Sequence, residues 1–256
     1  MFPYLFDLFG WRVPTYGVLV VSAFLAGLAV TGKLARRAGA NPDTILDLGV
    51  WSAIAGIVGA KLMMVLVDLG DYTSGRRRLF SIETIQAAGI FYGGFLTALV
   101  VAYLYMRRHR LPVLATLDLF APGIALAHAI GRLGCLFAGC CWGRECSLPW
   151  AVTFTRQEAA ALVGVPLHKA LHPTQVYEAL AVLAIFGFLC LRISKPHRHG
   201  AVIGWYLVLY SAVRFGLEYL RDPQQPNPFD GPLTIAQWIS LGMIVAVIIP
   251  RRRISR

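Results

Sequence analysis

Seven apolar stretches run through this chain, at Tyr16–Gly32, Leu46–Val67, Ala87–Met106, Ala115–Ala138, Pro173–Leu191, Ala201–Leu220 and Leu233–Ile249. A helix needs about 20 apolar residues to cross the ~30 Å hydrocarbon core of a bilayer. Each stretch approaches that length, the first only marginally. Charged residues make up 14% of the 256 and hydrophobic residues 57%, whereas soluble domains carry about 25% charge. A water-soluble enzyme of this size would lack the charge to cover its surface, and a disordered chain would be far less apolar. The sequence therefore predicts an all-α, polytopic integral membrane protein: a single transmembrane domain over residues 1–256 with about seven transmembrane helices. The opening Met1–Trp11 segment holds five aromatics and is too short to span. It reads as an interfacial arm over residues 1–11 and not as a signal peptide, having no basic n-region. Residues 139–172 read as an extracytoplasmic loop region.

The cations orient the chain. Lys33, Arg36 and Arg37 follow the first stretch; Arg107, Arg108 and Arg110 the third; Arg192, Lys195 and Arg198 the fifth; Arg251, Arg252, Arg253 and Arg256 the seventh. The opposite side holds fewer, among them the Arg76–Arg78 run, which opposes the majority. The bias places the N-terminus outside and the C-terminus in the cytoplasm. Most of the net charge of +11 is thereby topological and calls for no nucleic acid.

Three cations fall inside the spans: Lys61, Arg132 and Arg214. A charge at the bilayer centre costs at least ~2.5–3.5 kcal/mol, so such residues face the bundle interior and find a partner. In the sixth stretch Tyr210, Arg214 and Glu218 recur at i, i+4 and i+8, on one helical face. That pattern suits either a self-neutralising Arg–Glu brace or a cation held by Glu218 for a ligand shared with Tyr210. In the fourth stretch His128, Arg132 and Cys135 share a face, among Gly123, Gly131 and Gly134, which permit close packing or close approach to a ligand. His128 alone reads equally as a hydrogen-bonded core residue. A guanidinium stays charged at any depth and pairs bidentately with phosphate, and the phosphate at hand in a membrane belongs to a phospholipid. Lys61 adds a third cation or snorkels outward.

Two further segments carry polar or flexible groups. Ile90–Phe95 contains Tyr92, Gly93 and Gly94, which serve either a tight helix contact or a substrate approach. His172–Glu178 opens the fifth stretch with Pro173, suited to a first helical turn, and with Gln175 and Glu178 near the outer end. Cys135, Cys140, Cys141 and Cys146 cluster at the outer end of the fourth stretch. In an oxidising compartment they read first as a disulfide or packed thiols, then as a reactive thiol. A zinc site ranks last because paired CxxC spacing is absent. Cys190 reads as a small apolar residue of the fifth span. No cofactor and no metal is expected.

These blocks together resemble the prolipoprotein diacylglyceryl transferases. The resemblance spans nearly the whole chain and rests on Tyr16-Gly17, Tyr92-Gly93-Gly94, Gly131-Arg132-Leu133-Gly134 through Gly139 and Trp142-Gly143, His172–Glu178, and Tyr210 with Arg214 and Glu218. It implies a multi-pass enzyme of the bacterial cytoplasmic (inner) membrane. Such an enzyme moves the diacylglyceryl group of phosphatidylglycerol to the lipobox cysteine thiol of a prolipoprotein and releases glycerol 1-phosphate. It implies Tyr92, Arg132, Arg214 and Glu218 as catalytic residues. Tyr16, Lys61, Gly93, Gly94, His128, Cys135, Gln175 and Tyr210 become substrate-binding residues, in a monomer. The family usually has histidine, the proposed base, where this chain has Tyr92, and arginine where it has Lys61. Asparagine, asparagine and glutamate give way to Cys135, Ala138 and Cys140. Two other readings stand beside this one. A divergent paralogue could use the same phospholipid site with another acceptor or its own cysteines, and the protein could instead be a non-catalytic lipid-binding subunit or a transporter. Transporters commonly show internal repeats, and the two halves here show none.

Overall fold

In a bilayer the usual distribution of side chains is reversed: lipid tolerates apolar surface, and polar groups must be satisfied inside. The computed structural model of the chain, which describes residues 4–8, 11–74, 81, 84, 89–222 and 231–254, shows this reversal. Ile57, Leu66, Val67, Phe91 and Leu191 are each more than 60% exposed. Asp118, Thr174, Gln175, Glu178 and Gln237 are buried.

The elements in order are β1 (Tyr4–Leu8), β2 (Trp11–Pro14), α1 (Thr15–Arg37), α2 (Pro42–Val67), α3 (Leu69–Thr73), α4 (Phe91–Arg108), α5 (Val113–Ala138), β3 (Val152–Thr153), α6 (Gln157–Val163), β4 (Ala170–Leu171), α7 (Thr174–Ile193), α8 (Ala201–Leu217) with a 3₁₀ turn at Glu218–Leu220, and α9 (Ile235–Ile254). Among the described residues five helices are long and apolar enough to cross a membrane: α1, α2, α5, α7 and α8 with its 3₁₀ extension. Helix α4, at 18 residues, and the apolar part of α9, Ile235–Ile249, fall short of that measure. The chain is thus a polytopic helical protein of the kind a membrane requires.

Beside the helices the chain forms two small antiparallel ladders, β1–β2 and β3–β4. The first occupies the arm read from sequence as merely interfacial. Its register runs from Tyr4 opposite Pro14 to Leu8 opposite Trp11, and the Arg12 guanidinium lies over the Tyr4 ring at 5.5 Å. The Arg76–Arg78 run and Ala87, which opens the third stretch, lie outside the described residues.

The backbone forms two compact units, one of Met1–Thr31 with Leu117–Arg256 and one of Gly32–Thr116. In the second unit, Gly39 closes α1 at φ +71, a left-handed conformation that glycine adopts without strain. The amide of Ala40 there donates to Ala35 O. Asn41 then caps α2, its side-chain oxygen accepting from the amides of Asp43 and Thr44 at 2.9 and 3.4 Å, with Pro42 at the first helical position. Helix α4 lies close against α2. A Cβ on Gly93 would stand 2.7 Å from Gly59 O, and one on Gly94 would stand 2.6 Å from Gly56 O.

In the first unit, α1 approaches α5 as closely: a Cβ on Gly123 would meet Thr31 Oγ1 at 2.3 Å and Gly27 O at 2.5 Å. The apolar core lies between α5, α7 and α8, where Ala121, Ala125 and Ala129 meet Val182, Ile185, Leu189, Val202 and Tyr206. A second core caps it in the 139–172 region, built from Trp142, Phe154, Ala159, Val165 and Leu171. The start of α8 is satisfied from another helix. Buried Asp118 of α5 accepts from the amides of Gly200 and Ile203 at 2.6 and 2.8 Å, supplying the acceptors that helical N-termini lack. Helix α9 begins with a capping box: the Thr234 amide donates to Gln237 Oε1 at 3.0 Å, and the Gln237 amide to Thr234 Oγ1 at 3.3 Å.

Replacing Asp118 by Ala removes a charged acceptor from two buried amides, each such bond contributing about 1.5–3 kcal/mol. The Asp118→Ala protein is expected to unfold at a clearly lower temperature in a detergent melt, with Asp118→Asn in between.

Candidate active site

Position 132 of α5 faces α7, and a guanidinium buried there must find anionic or polar acceptors. Its partner is Glu178, one helical turn into α7, which is 1% exposed. Arg132 Nη2 stands 3.0 Å from Glu178 Oε1. The same oxygen accepts from the Tyr210 hydroxyl of α8 at 2.9 Å, so one carboxylate joins three helices. His128, one turn before Arg132, completes the network. Arg132 Nε donates to His128 Nε2 at 3.2 Å, and His128 Nδ1 lies 3.2 Å from the Tyr206 hydroxyl. The same Nε2 also lies 3.4 Å from Glu178 Oε1, so His128 sits between the guanidinium and the carboxylate. The imidazole also meets the Tyr210 ring edge-on at 4.6 Å, and Tyr206 stacks along Tyr210 at 6.0 Å.

One turn beyond Tyr210, Arg214 Nη1 meets Glu218 Oε2 at 2.5 Å. Both atoms are buried, and the contact lacks the alignment of a hydrogen bond. Here α8 gives way to the 3₁₀ turn that Glu218 begins. Among the described residues the unit thus holds two guanidinium–carboxylate pairs with little exposure, on α5/α7 and at the end of α8, besides the exposed Arg12–Glu158 pair.

The His172–Glu178 segment positions the loop that follows α5. The His172 carbonyl accepts from the Gly143 amide at 3.1 Å, and the Arg144 amide donates to Leu220 O at 2.9 Å. Gly143 fits only because it lacks a side chain: a Cβ would lie 2.6 Å from Leu220 O. The Thr174 hydroxyl donates to Cys141 O at 2.7 Å, and Gln175 Nε2 donates to Cys140 O at 2.6 Å. Gln175 Oε1 is buried and accepts no hydrogen bond among the described residues.

Cys135, Cys140, Cys141 and Cys146 are free thiols. The sulfurs of the first three lie within 4.8 Å of one another. Cys146 is not in that group; its amide donates to Ala170 O. Hydrogen bonds from Cys135 and Cys140 hold the Cys141 thiol well below its ordinary range, with Arg221 adding to the effect. Bonds to Cys135 and Cys141 hold the Cys140 thiol well above its own. Tyr16 packs its ring on Gly134, whose Cβ would stand 3.3 Å from Tyr16 Cδ2.

Of the residues singled out from sequence, this unit brings His128, Arg132 and Tyr210 into one network, pairs Arg214 with Glu218, gathers Cys135 at the end of α5 with the thiols of Cys140 and Cys141, and ties Gln175 of α7 to Cys140 O. Tyr92, Gly93, Gly94 and Lys61 belong to the other unit. There Gly93 and Gly94 sit against α2, and Lys61 Nζ donates to Thr84 O at 2.8 Å. Tyr92 is 63% exposed, its ring edge-on to Phe91 at 5.8 Å. Glu178 and Tyr206 were not among the expected site residues. The signals for them were the acid one helical turn into the fifth stretch and the tyrosine one turn before Tyr210.

Ionisable residues paired in the interior of a helical membrane protein are the kind that mark functional sites in such proteins. A family model, prolipoprotein diacylglyceryl transferase, matches residues 3–250, and the chain belongs to that family. It is similar to proteins named phosphatidylglycerol–prolipoprotein diacylglyceryl transferase from three bacteria. It is 32% identical to that of Clostridium tetani over 96% of this chain and 94% of the relative. The Finegoldia magna protein is 33% identical over 95% and 92%, and the Gloeobacter violaceus protein 32% over 95% and 89%.

Removing one member of a buried ion pair costs about 3–5 kcal/mol, because the other charge is left without compensation. Glu178→Gln is therefore expected to lower the thermal midpoint sharply. Tyr210→Phe, which removes one bond to the carboxylate, should cost about 1.5–3 kcal/mol in the same melt.

Proposed function

We propose that this protein transfers the diacylglyceryl group of phosphatidylglycerol to the thiol of a prolipoprotein lipobox cysteine, releasing glycerol 1-phosphate. Family membership over residues 3–250, with the Arg132 and Arg214 side chains each only 19% exposed in one unit, is the observation that carries the reading. The reaction forms a thioether by displacing a phosphate ester, so negative charge grows on the leaving phosphate. Preorganised cations stabilise such charge best where water is scarce. Arg132 spends two of its donors on His128 and Glu178 and has others to offer a phosphate oxygen. Arg214 turns toward the same phosphate by exchanging part of its contact with Glu218. Glu178 and Tyr210 fix the direction of the Arg132 fork, and Tyr16 borders the acyl chains. Tyr92 serves as thiolate stabiliser or proton relay. His128 Nε2, set between Arg132 and Glu178, belongs to the network that orients the guanidinium.

In this reading α4 and α9 join the five longer helices to make seven spans of a single transmembrane domain in the bacterial inner membrane. The N-terminus lies outside, the C-terminus in the cytoplasm, and the protein acts as a monomer.

Purified protein incubated with phosphatidylglycerol vesicles and a lipobox peptide is expected to yield the thioether-linked peptide and glycerol phosphate, both read by mass spectrometry. Arg132→Ala and Arg214→Ala should each lower turnover by at least about 100-fold, the scale of losing one charge-stabilising group. Failure of the native protein to form thioether, or full turnover by either variant, would overturn the assignment.

A further inference from the structure

The phosphate-holding residues leave one cluster of reactive groups unused: Cys135 at the end of α5 with Cys140 and Cys141 just beyond it. Their sulfurs lie within 4.8 Å of one another. Around a tetrahedral zinc with Zn–S bonds of about 2.3 Å, sulfurs stand about 3.8 Å apart, so small rotations of the side chains close the difference. The loop that carries them is fixed from outside. Gly139 and Cys140 both donate their amides to Cys135 O, at 3.0 and 3.1 Å. The buried side chains of Thr174 and Gln175 hold the carbonyls of Cys141 and Cys140. Cys141 itself adopts φ +62, a left-handed conformation that costs a non-glycine residue and persists where the surroundings impose it. Here it turns a third thiol toward the other two. Three thiolates and one Zn²⁺ carry a net single negative charge. Arg132, one turn before Cys135, and Arg221, whose charge acts on the Cys141 thiol, stand ready to balance it.

We propose that Cys135, Cys140 and Cys141 bind one Zn²⁺, and that the fourth coordination position of this ion takes the acceptor cysteine of the prolipoprotein as its thiolate. The second half rests on the transferase reading above. Zinc sites with three protein ligands reserve a position for an exogenous ligand, and a coordinated thiol is deprotonated outright. The acceptor thiol gives its proton to water on binding. Its sulfur then attacks the glyceryl carbon that bears the phosphate ester. The C–S bond forms as the C–O bond breaks, and the C–O electron pair leaves on the glycerol phosphate. The product thioether is uncharged, a weak ligand, and dissociates. A chain that carries a phenol at Tyr92 thereby obtains a thiolate at neutral pH without a strong base.

Purified protein loaded with zinc and desalted is expected to retain about one zinc per chain by elemental mass spectrometry. Cys140→Ser should lose it, and Cys146→Ser, outside the cluster, should keep it. Cobalt(II) in place of zinc should show thiolate charge-transfer bands that shift on adding a lipobox peptide, and not on adding the peptide with serine for cysteine. Cys140→Ser should turn over about 30-fold more slowly at pH 7, the thiolate deficit of a free thiol of pKa about 8.5, and recover toward pH 9. Absence of zinc binding, a cobalt spectrum blind to the peptide thiol, or metal-stripped protein with native turnover at pH 7 would overturn the proposal and leave the transferase standing. Zinc-loaded protein that forms no thioether would overturn the transferase reading instead, and with it the role given to the fourth position.

Discussion

One carboxylate organises the interior. Glu178 is held away from both water and lipid, and an ion in that setting survives only with partners of opposite charge and good geometry. It receives the Arg132 guanidinium from α5 and the Tyr210 hydroxyl from α8, while α7 provides its own backbone. Three helices are thereby fixed in register by a single side chain. The alanine, valine and leucine contacts between the same helices supply close packing, but such contacts tolerate sliding more readily than a charge does. In lipid, apolar burial gives little drive for helices to associate, and polar contacts and small residues carry more of the specificity. The paired glycines on α1/α5 and α2/α4 serve this second role by letting backbones approach directly.

The same economy appears at the helix ends. Asp118 satisfies the start of α8 from within α5. The loop after α5 is tied to the start of α7 and to the end of α8 through Gly143, Arg144, His172 and Leu220. The polar segments that look like loops in the sequence thus function as fasteners. They hold the cysteine turn at a fixed place beside the arginine network.

The helices were legible in the sequence because their signal, apolar length, is local. Their boundaries shifted where caps decided them: Asn41 and Pro42 start α2 four residues ahead of the apolar stretch. The arm's β-ladder was not legible, since strands of five and four residues are too short to show a periodicity of their own. Arg132, Tyr210, Arg214 and Glu218 were legible as intramembrane polar residues on shared faces, and helical spacing alone pairs Arg214 with Glu218. Glu178 escaped because its partner lies on another helix, and Asp118 for the same reason. The convergence of three cysteines was half visible: their proximity in sequence was plain, but the left-handed turn at Cys141 that gathers the thiols was not.

The first compact unit is discontinuous in the chain: Gly27 and Thr31 of α1 meet Gly123 of α5 only after the whole second unit has been made. At synthesis rates of about 5–20 residues per second, the first helix waits for several seconds in the membrane with its glycine face uncovered. Helices α2 and α4, separated in sequence by α3, are both complete within that interval. The order of synthesis thus completes α2 and α4 before Gly123 is available to α1, and it completes the arginine–carboxylate network only once Tyr210 of α8 has followed.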